Sequence, residues 1–168
     1  EAIFIGVYLY GWERVSPRAH LAAGIVVAVS GAASALFVVL VNAWMNTPVG
    51  FTVDAAGAFV NVDPITAMRS PAAFQQVLHM LLASYAATGM AVAGVHAWML
   101  LRGADRAFHG RALALALCVG APAAVAQPIS GDLSARVVAE TQPVKLAALE
   151  GQWRTQRDAP LRIGGWPD

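Results

Sequence analysis

Residues 71–101 carry no formal charge and hold a histidine near their start, His79, in the segment QQVLHMLLASYAATGMAVAGVHAWMLL. About 20 apolar residues, rising about 1.5 Å each, cover the roughly 30 Å hydrocarbon layer of a bilayer. The stretch is therefore predicted to be a membrane-spanning helix with length to spare for tilt. An ionisable or ligating side chain in such a helix is costly and as a rule faces the bundle interior, which makes His79 a candidate functional residue. Its other reading is an imidazole hydrogen-bonded to a neighbouring helix.

On a 3.6-residue period Ala83, Ala86, Gly89 with Met90, and Ala93 follow His79 along one side of the helix. Such small side chains leave room beside the imidazole. Either another helix backbone approaches closely there, or a flat cofactor lies against the helix and takes His79 as an axial ligand. His96 stands about 260° round the helix from His79. The two cannot share one small metal site, and a metal at His79 needs further ligands from elsewhere.

With 58% hydrophobic and only 12% charged residues among 168, the chain lacks the charge of a soluble globular domain, about a quarter of whose residues are ionised. It is predicted to be all-α, a multi-pass transmembrane helical bundle in the lipid bilayer. The net charge of +1, with no basic run interleaved with aromatics, argues against nucleic acid as a partner. The single cysteine, Cys118, lies in an apolar stretch, excludes an internal disulfide and is expected to be a small buried hydrophobe. The opening EAIFIGVYLYGW has neither an initiator Met nor a charged leader region, and both ends are expected to be cuts within a longer polypeptide.

The expected order is a partial helix over about 1–11, spans over about 21–45, 73–101 and 112–129, and an extramembrane loop from 131 onward. Glu1 would then lie near mid-membrane. In WERVSPR, Ser16 can cap the second helix and Pro17 can take its first position. Trp44 suits the interface at that helix's far end. Residues 47–70 read as a surface loop with one short amphipathic turn. Pro122 should kink or tilt the third span. Beyond Gly131 charges return, and that tail is expected in water. His20 and His109 fall in expected turns and read as interfacial; His96 reads as a helix-packing hydrogen bonder.

Arg14 and Arg18 precede the first complete span, and Arg102, Arg106 and Arg111 follow the histidine helix, whereas the loop between carries only Arg69 beside Asp54 and Asp63. By the positive-inside rule the two arginine-bearing turns are cytoplasmic. Residues 47–70 and the tail then lie outside, and His79 lies near that outer face. In the tail, QPVKLAALEGQW places Lys145 and Glu150 around an apolar LAAL. It reads either as an amphipathic surface helix or as a lysine and a carboxylate able to bind the head of a lipophilic quinol and accept its protons.

Five ordered pieces, the GWERVSPRAH turn, SGAASALFVVLVNAWMNTP, VLHMLLASYAATG, GDLSAR, and QPVKLAALEGQW with the closing GWPD, together resemble subunit I of the cytochrome bd quinol oxidases over essentially the whole chain. The resemblance implies a respiratory terminal oxidase subunit of the bacterial cytoplasmic (inner) membrane that oxidises quinol and reduces dioxygen to water. It further implies a low-spin haem b, a high-spin haem b and haem d pair in the complete subunit, a second membrane subunit as partner, and residues 131–168 beginning a quinol-binding loop on the periplasmic side. Carried over by position, His79 matches an axial ligand of the low-spin haem iron, and Lys145 and Glu150 match the quinol-binding loop. Glu1 matches a membrane glutamate that delivers protons near the high-spin haems. The remaining haem ligands of the family have no counterpart in these residues, so the piece alone is not expected to be active. The competing reading is a cofactor-free transporter or scaffold in which His79 and Glu1 line a proton or solute path.

Overall fold

The computed structural model describes residues 1–159. Among these the order is α1 (Ala2–Tyr10), α2 (Pro17–Asn46), a hairpin of β1 (Thr52–Val53) and β2 (Phe59–Val60), α3 (Pro64–Met68), α4 (Ala73–Leu101), α5 (Arg106–Thr141) and α6 (Pro143–Leu149). Three helices, α2, α4 and α5, are long and apolar enough to cross a membrane.

Helix α2 starts as its sequence dictates. Ser16 accepts a hydrogen bond from the Ala19 N–H at 3.3 Å, and Pro17, which has no N–H to leave unpaired, stands at the first position. Helix α1 lies against it: the Tyr8 ring sits in the space left by Gly24, and His20 Nε2 reaches the Tyr8 carbonyl at 2.8 Å while its ring stacks on Tyr8. His20 is thus a fastener between two helices in the first turn of α2.

Helices α4 and α5 form the antiparallel hairpin on which the fold turns. They approach most closely at Gly89 and Gly120, where a Cβ on Gly89 would fall 2.5 Å from the Gly120 Cα. Between spanning helices, which gain no hydrophobic drive from lipid, such contact of backbones is what brings the helices together. The stripe of small residues on α4 therefore receives a helix: Gly89 and Ala93 are buried, as are Gly120 and Ala123 of α5. At the open end of the hairpin Ala43, Ala72 and Ala73 form a buried cluster with Leu40 and Val137, which joins α2, α4 and α5. Asn42 adds a hydrogen bond from α2 to Gln76 of α4 at 3.0 Å.

The third span begins earlier and ends later than the expected 112–129. Asp105 caps it by accepting from the N–H groups of Ala107 and Phe108, and the helix continues past Pro122 and Pro128 to Thr141. Returning charge marked the approach to water, which a helix can enter intact. Arg136 pairs with Asp132 one turn away at 2.8 Å, and Val137 is anchored on the alanine cluster. The helix stops at Gln142, whose backbone (φ −144°, ψ 61°) has left the helical region that the following Pro143 disfavours. Cys118, expected to be buried, is exposed on α5: an apolar run marks a spanning helix without saying which of its faces another helix covers.

Residues 47–70 hold more order than a plain loop. Asp54 Oδ1 accepts from the N–H groups of Ala56 and Ala58 at 2.9 Å and closes the hairpin turn. Gly50 adopts φ +83°, and a Cβ there would fall 2.7 Å from both the Asp63 carbonyl oxygen and the Ala67 nitrogen, a place no side chain could occupy. Asp63 caps α3 through the Ile65 and Thr66 N–H groups and the Thr66 hydroxyl at 2.6 Å. The Thr66 hydroxyl above all, then the two N–H groups, hold the Asp63 carboxyl below its ordinary pKa. A depressed folded pKa means that the cap's contribution is present above the ordinary aspartate range and is lost as pH falls through the lowered value. Relative to the intrinsic exchange rate at each pH, protection of the Ile65 and Thr66 amides should thus be highest at neutral pH and fall under acid, and in Asp63→Ala it should be low at every pH.

Candidate functional site

The hairpin register decides what surrounds His79. From the Gly89–Gly120 contact, ten residues back along α4 lead to His79 and ten forward along α5 lead to Ser130, and His79 Nδ1 lies 3.1 Å from Ser130 Oγ. One turn earlier on α5, the Gln127 amide nitrogen lies 2.9 Å from His79 Nε2. The same amide nitrogen also lies 3.4 Å from Nδ1; the tautomer in which it donates to Nε2 leaves the ring proton on Nδ1, where Ser130 Oγ can accept it. Gly131 leaves the Cε1 edge of the ring uncrowded, a Cβ there standing 3.8 Å away. Ser130 is 2% exposed, and the Gln127 Oε1 is buried without a hydrogen-bond partner among the described residues.

These contacts fit an axial ligand. Ligation needs a neutral imidazole with one sp² lone pair free of a proton and the other nitrogen held by an acceptor. Nε2 has that lone pair, engaged only by an amide whose other end is unsatisfied. His79 would provide one ligand, and no group of three or more His, Cys, Asp or Glu able to hold a metal ion occurs among the described residues.

Lys145 lies in α6, and its Nζ donates to Asn46 Oδ1 at the end of α2, 2.8 Å away. Glu150 follows the last turn of α6 and is exposed, as is Lys145. The two do not pair; among the described residues the ion pair present is Arg136–Asp132. The bond to Asn46 nevertheless folds α6 back over the end of α2, the same end at which Ala43 meets the start of α4, six residues before His79. Lys145 and His79 thus belong to one end of the bundle. Glu1 stands apart. Its carboxylate lies 3.4 Å from where a Cβ of Gly31 would be, halfway along α2. The closing GWPD lies outside the described residues.

At the opposite end, His96 Nδ1 and His109 Nδ1 are 2.8 Å apart and bridge α4 to the first turn of α5, with Phe108 edge-on to His96. His96 is a helix-packing hydrogen bonder, and His109 is its partner. Ser130 and Gln127 were not singled out from the sequence, and Asn46 was read only as part of the interfacial end of α2. A signal did exist for the first two: Gln127 and Ser130 are polar residues three apart at the end of an otherwise apolar run, the spacing that places both on one helix face.

Three apolar helices, two of them clasping an imidazole between them, define a multi-pass helical membrane protein. The chain belongs to the cytochrome bd terminal oxidase subunit I family, whose model matches residues 1–168. It is 33% identical over 170 residues to cytochrome bd-II ubiquinol oxidase subunit 1 of Escherichia coli (strain K12), covering 100% of this chain and 33% of that protein. It is 31% identical over 158 residues to cytochrome bd ubiquinol oxidase subunit 1 of Bacillus subtilis (strain 168), covering 94% of this chain and 34% of that protein. The solved bd oxidase of Geobacillus thermodenitrificans superposes with a TM-score of 0.76 at 43% identity, covering 95% of this chain and 37% of that one. The chain therefore spans about a third of the length of the relatives it matches.

Proposed function

We propose that this chain is the part of a quinol:oxygen oxidoreductase subunit that receives electrons from membrane quinol at its outer end. The observation that carries the reading is the clasped imidazole of His79, with Nδ1 on Ser130 and Nε2 on the Gln127 amide, in a chain of the bd oxidase family. His79 is one axial ligand of the low-spin haem b, which when bound supplies a one-electron carrier. The overall chemistry balances as two quinols giving two quinones, four electrons and four protons, and one dioxygen taking four electrons and four protons to form two waters. The arginines in and beside the α1–α2 and α4–α5 turns support a cytoplasmic position for those turns; in this reading His79, Lys145 and the segment from 131 onward lie toward the periplasm. A high-spin haem b, haem d and a second membrane subunit belong to the complete enzyme in this reading.

At the outer end, Lys145 orients or stabilises the quinol oxygen as negative charge develops, and Glu150 takes its proton and passes it to water. The exposure of both and the docking of α6 on Asn46 support this division of work. The test is oxygen uptake by the complete oxidase with quinol as donor, alongside its reduced-minus-oxidised spectrum. A preparation without haem bands would return the chain to the cofactor-free transporter reading.

Glu1 serves the proton route to the oxygen-reducing centre. A carboxylate level with the middle of α2 is at membrane depth if α2 spans the bilayer, and a carboxylate is retained there only where it is used or paired. Glu1→Gln keeps the shape and removes the titratable proton. It should slow steady-state oxygen uptake by about tenfold or more, with the low-spin spectrum intact. Full turnover in that variant would assign Glu1 a structural role.

A further inference from the structure

We infer that Ser130 is the positioning residue that dedicates His79 Nε2 to the cofactor, and that the Gln127 amide is a stand-in for the iron which withdraws when haem binds; this rests on the haem-ligand reading of His79. An imidazole has two nitrogens able to ligate, and which one does so is decided by the hydrogen bond the other makes. Ser130 is buried at 2% exposure, one turn from the end of the apolar run, with its Oγ 3.1 Å from Nδ1. Among the described residues the hydroxyl has no other side-chain partner, so its best acceptor role is toward Nδ1–H, which leaves the lone pair on Nε2. It is that nitrogen which the Gln127 amide occupies at 2.9 Å.

Gln127 is suited to a temporary role. Its Oε1 is buried and unpaired among the described residues, so the side chain is half satisfied where it stands, and turning away forfeits the amide nitrogen's contacts to the ring, 2.9 Å to Nε2 and 3.4 Å to Nδ1, while releasing a stranded carbonyl. Ser130 has no such freedom. Its Oγ is on a one-bond stem, and the Gly89–Gly120 contact fixes the hairpin register that sets its height opposite His79. One residue thus persists as the ring's partner and the other yields. A hydrogen bond from Nδ1–H raises the basicity of a ligating imidazole and favours oxidised iron. Removing it should raise the midpoint potential of the low-spin haem alone.

The experiment is a potentiometric titration and haem quantification of the complete oxidase carrying Ser130→Ala, Ser130→Thr, Gln127→Ala or His79→Ala. Ser130→Ala should retain the low-spin haem with its midpoint shifted upward and the high-spin haems unshifted. Ser130→Thr, which keeps the hydroxyl, should restore the wild-type midpoint. Gln127→Ala should leave both occupancy and midpoint unchanged. An unshifted midpoint in Ser130→Ala, loss of the haem in both Ser130 variants, or a Gln127→Ala enzyme depleted of low-spin haem would each overturn the inference. Loss of the haem in Ser130→Ala with retention in Ser130→Thr supports it. A low-spin band surviving in His79→Ala defeats the underlying reading instead, independently of what the Ser130 variants do.

Discussion

His79→Ala in the complete oxidase is expected to abolish the low-spin b-type band of the reduced spectrum while high-spin bands persist, and quinol-driven oxygen uptake should fall by more than about 100-fold. The size follows from what is removed. Loss of a mere outer partner of a metal ligand costs about 10–100-fold, and on the proposed haem-ligand reading the ligand itself goes. The void is small and lies beside Gly131 and Ser130, and the backbone contact that joins α4 to α5 is ten residues away at Gly89, so the hairpin should survive. Persistence of the high-spin bands is therefore part of the expectation, and it separates loss of a ligand from loss of the fold. An unchanged low-spin band would sink the assignment.

Glu150→Gln is expected to reduce quinol-driven turnover by about 100-fold or more, the range of a lost general base, while an artificial donor that bypasses the quinol site still drives oxygen uptake. Lys145→Ala should act in the same direction through two losses. On the proposed reading the ammonium no longer meets the quinol oxygen, and α6 loses its hydrogen bond to Asn46. Asn46→Ala separates the two effects. It breaks the docking bond and keeps the charge, so it should weaken quinol binding with little change at saturating quinol. The residues at 145 and 150 are about 140° apart round a helix, and Glu150 lies just beyond the last turn of α6. They must therefore address one head group from two sides. If both Glu150→Gln and Lys145→Ala retain wild-type quinol kinetics, α6 is a surface helix and quinol is oxidised elsewhere.

Helix existence was legible in the sequence because the bilayer imposes a length and a composition that local residues must meet. The histidine helix was expected over 73–101 and is α4, Ala73–Leu101. The start of α2 was legible for a different reason: a Ser-Pro cap acts within one turn and needs nothing from the rest of the chain. The length of α5 was not. Its last turns contain charges that say only where water begins, and what keeps them helical is Val137 on an alanine cluster drawn from two other helices.

The candidate site divides along the same line. The sequence by itself determined that an imidazole stands in a spanning helix beside small residues, because composition and a 3.6-residue period are local properties. It left open whether a helix or a cofactor uses that space. Tertiary structure decided that a helix does, at Gly89 and Gly120, and in doing so chose the partners of His79. Ser130 and Gln127 lie 51 and 48 residues away in the chain, and they reach the ring only through the hairpin register. Likewise Lys145 meets Asn46 across 99 residues. The side chains that can carry chemistry are written in the sequence, but their hydrogen-bond partners depend on how helices cross, which is settled where two backbones can touch.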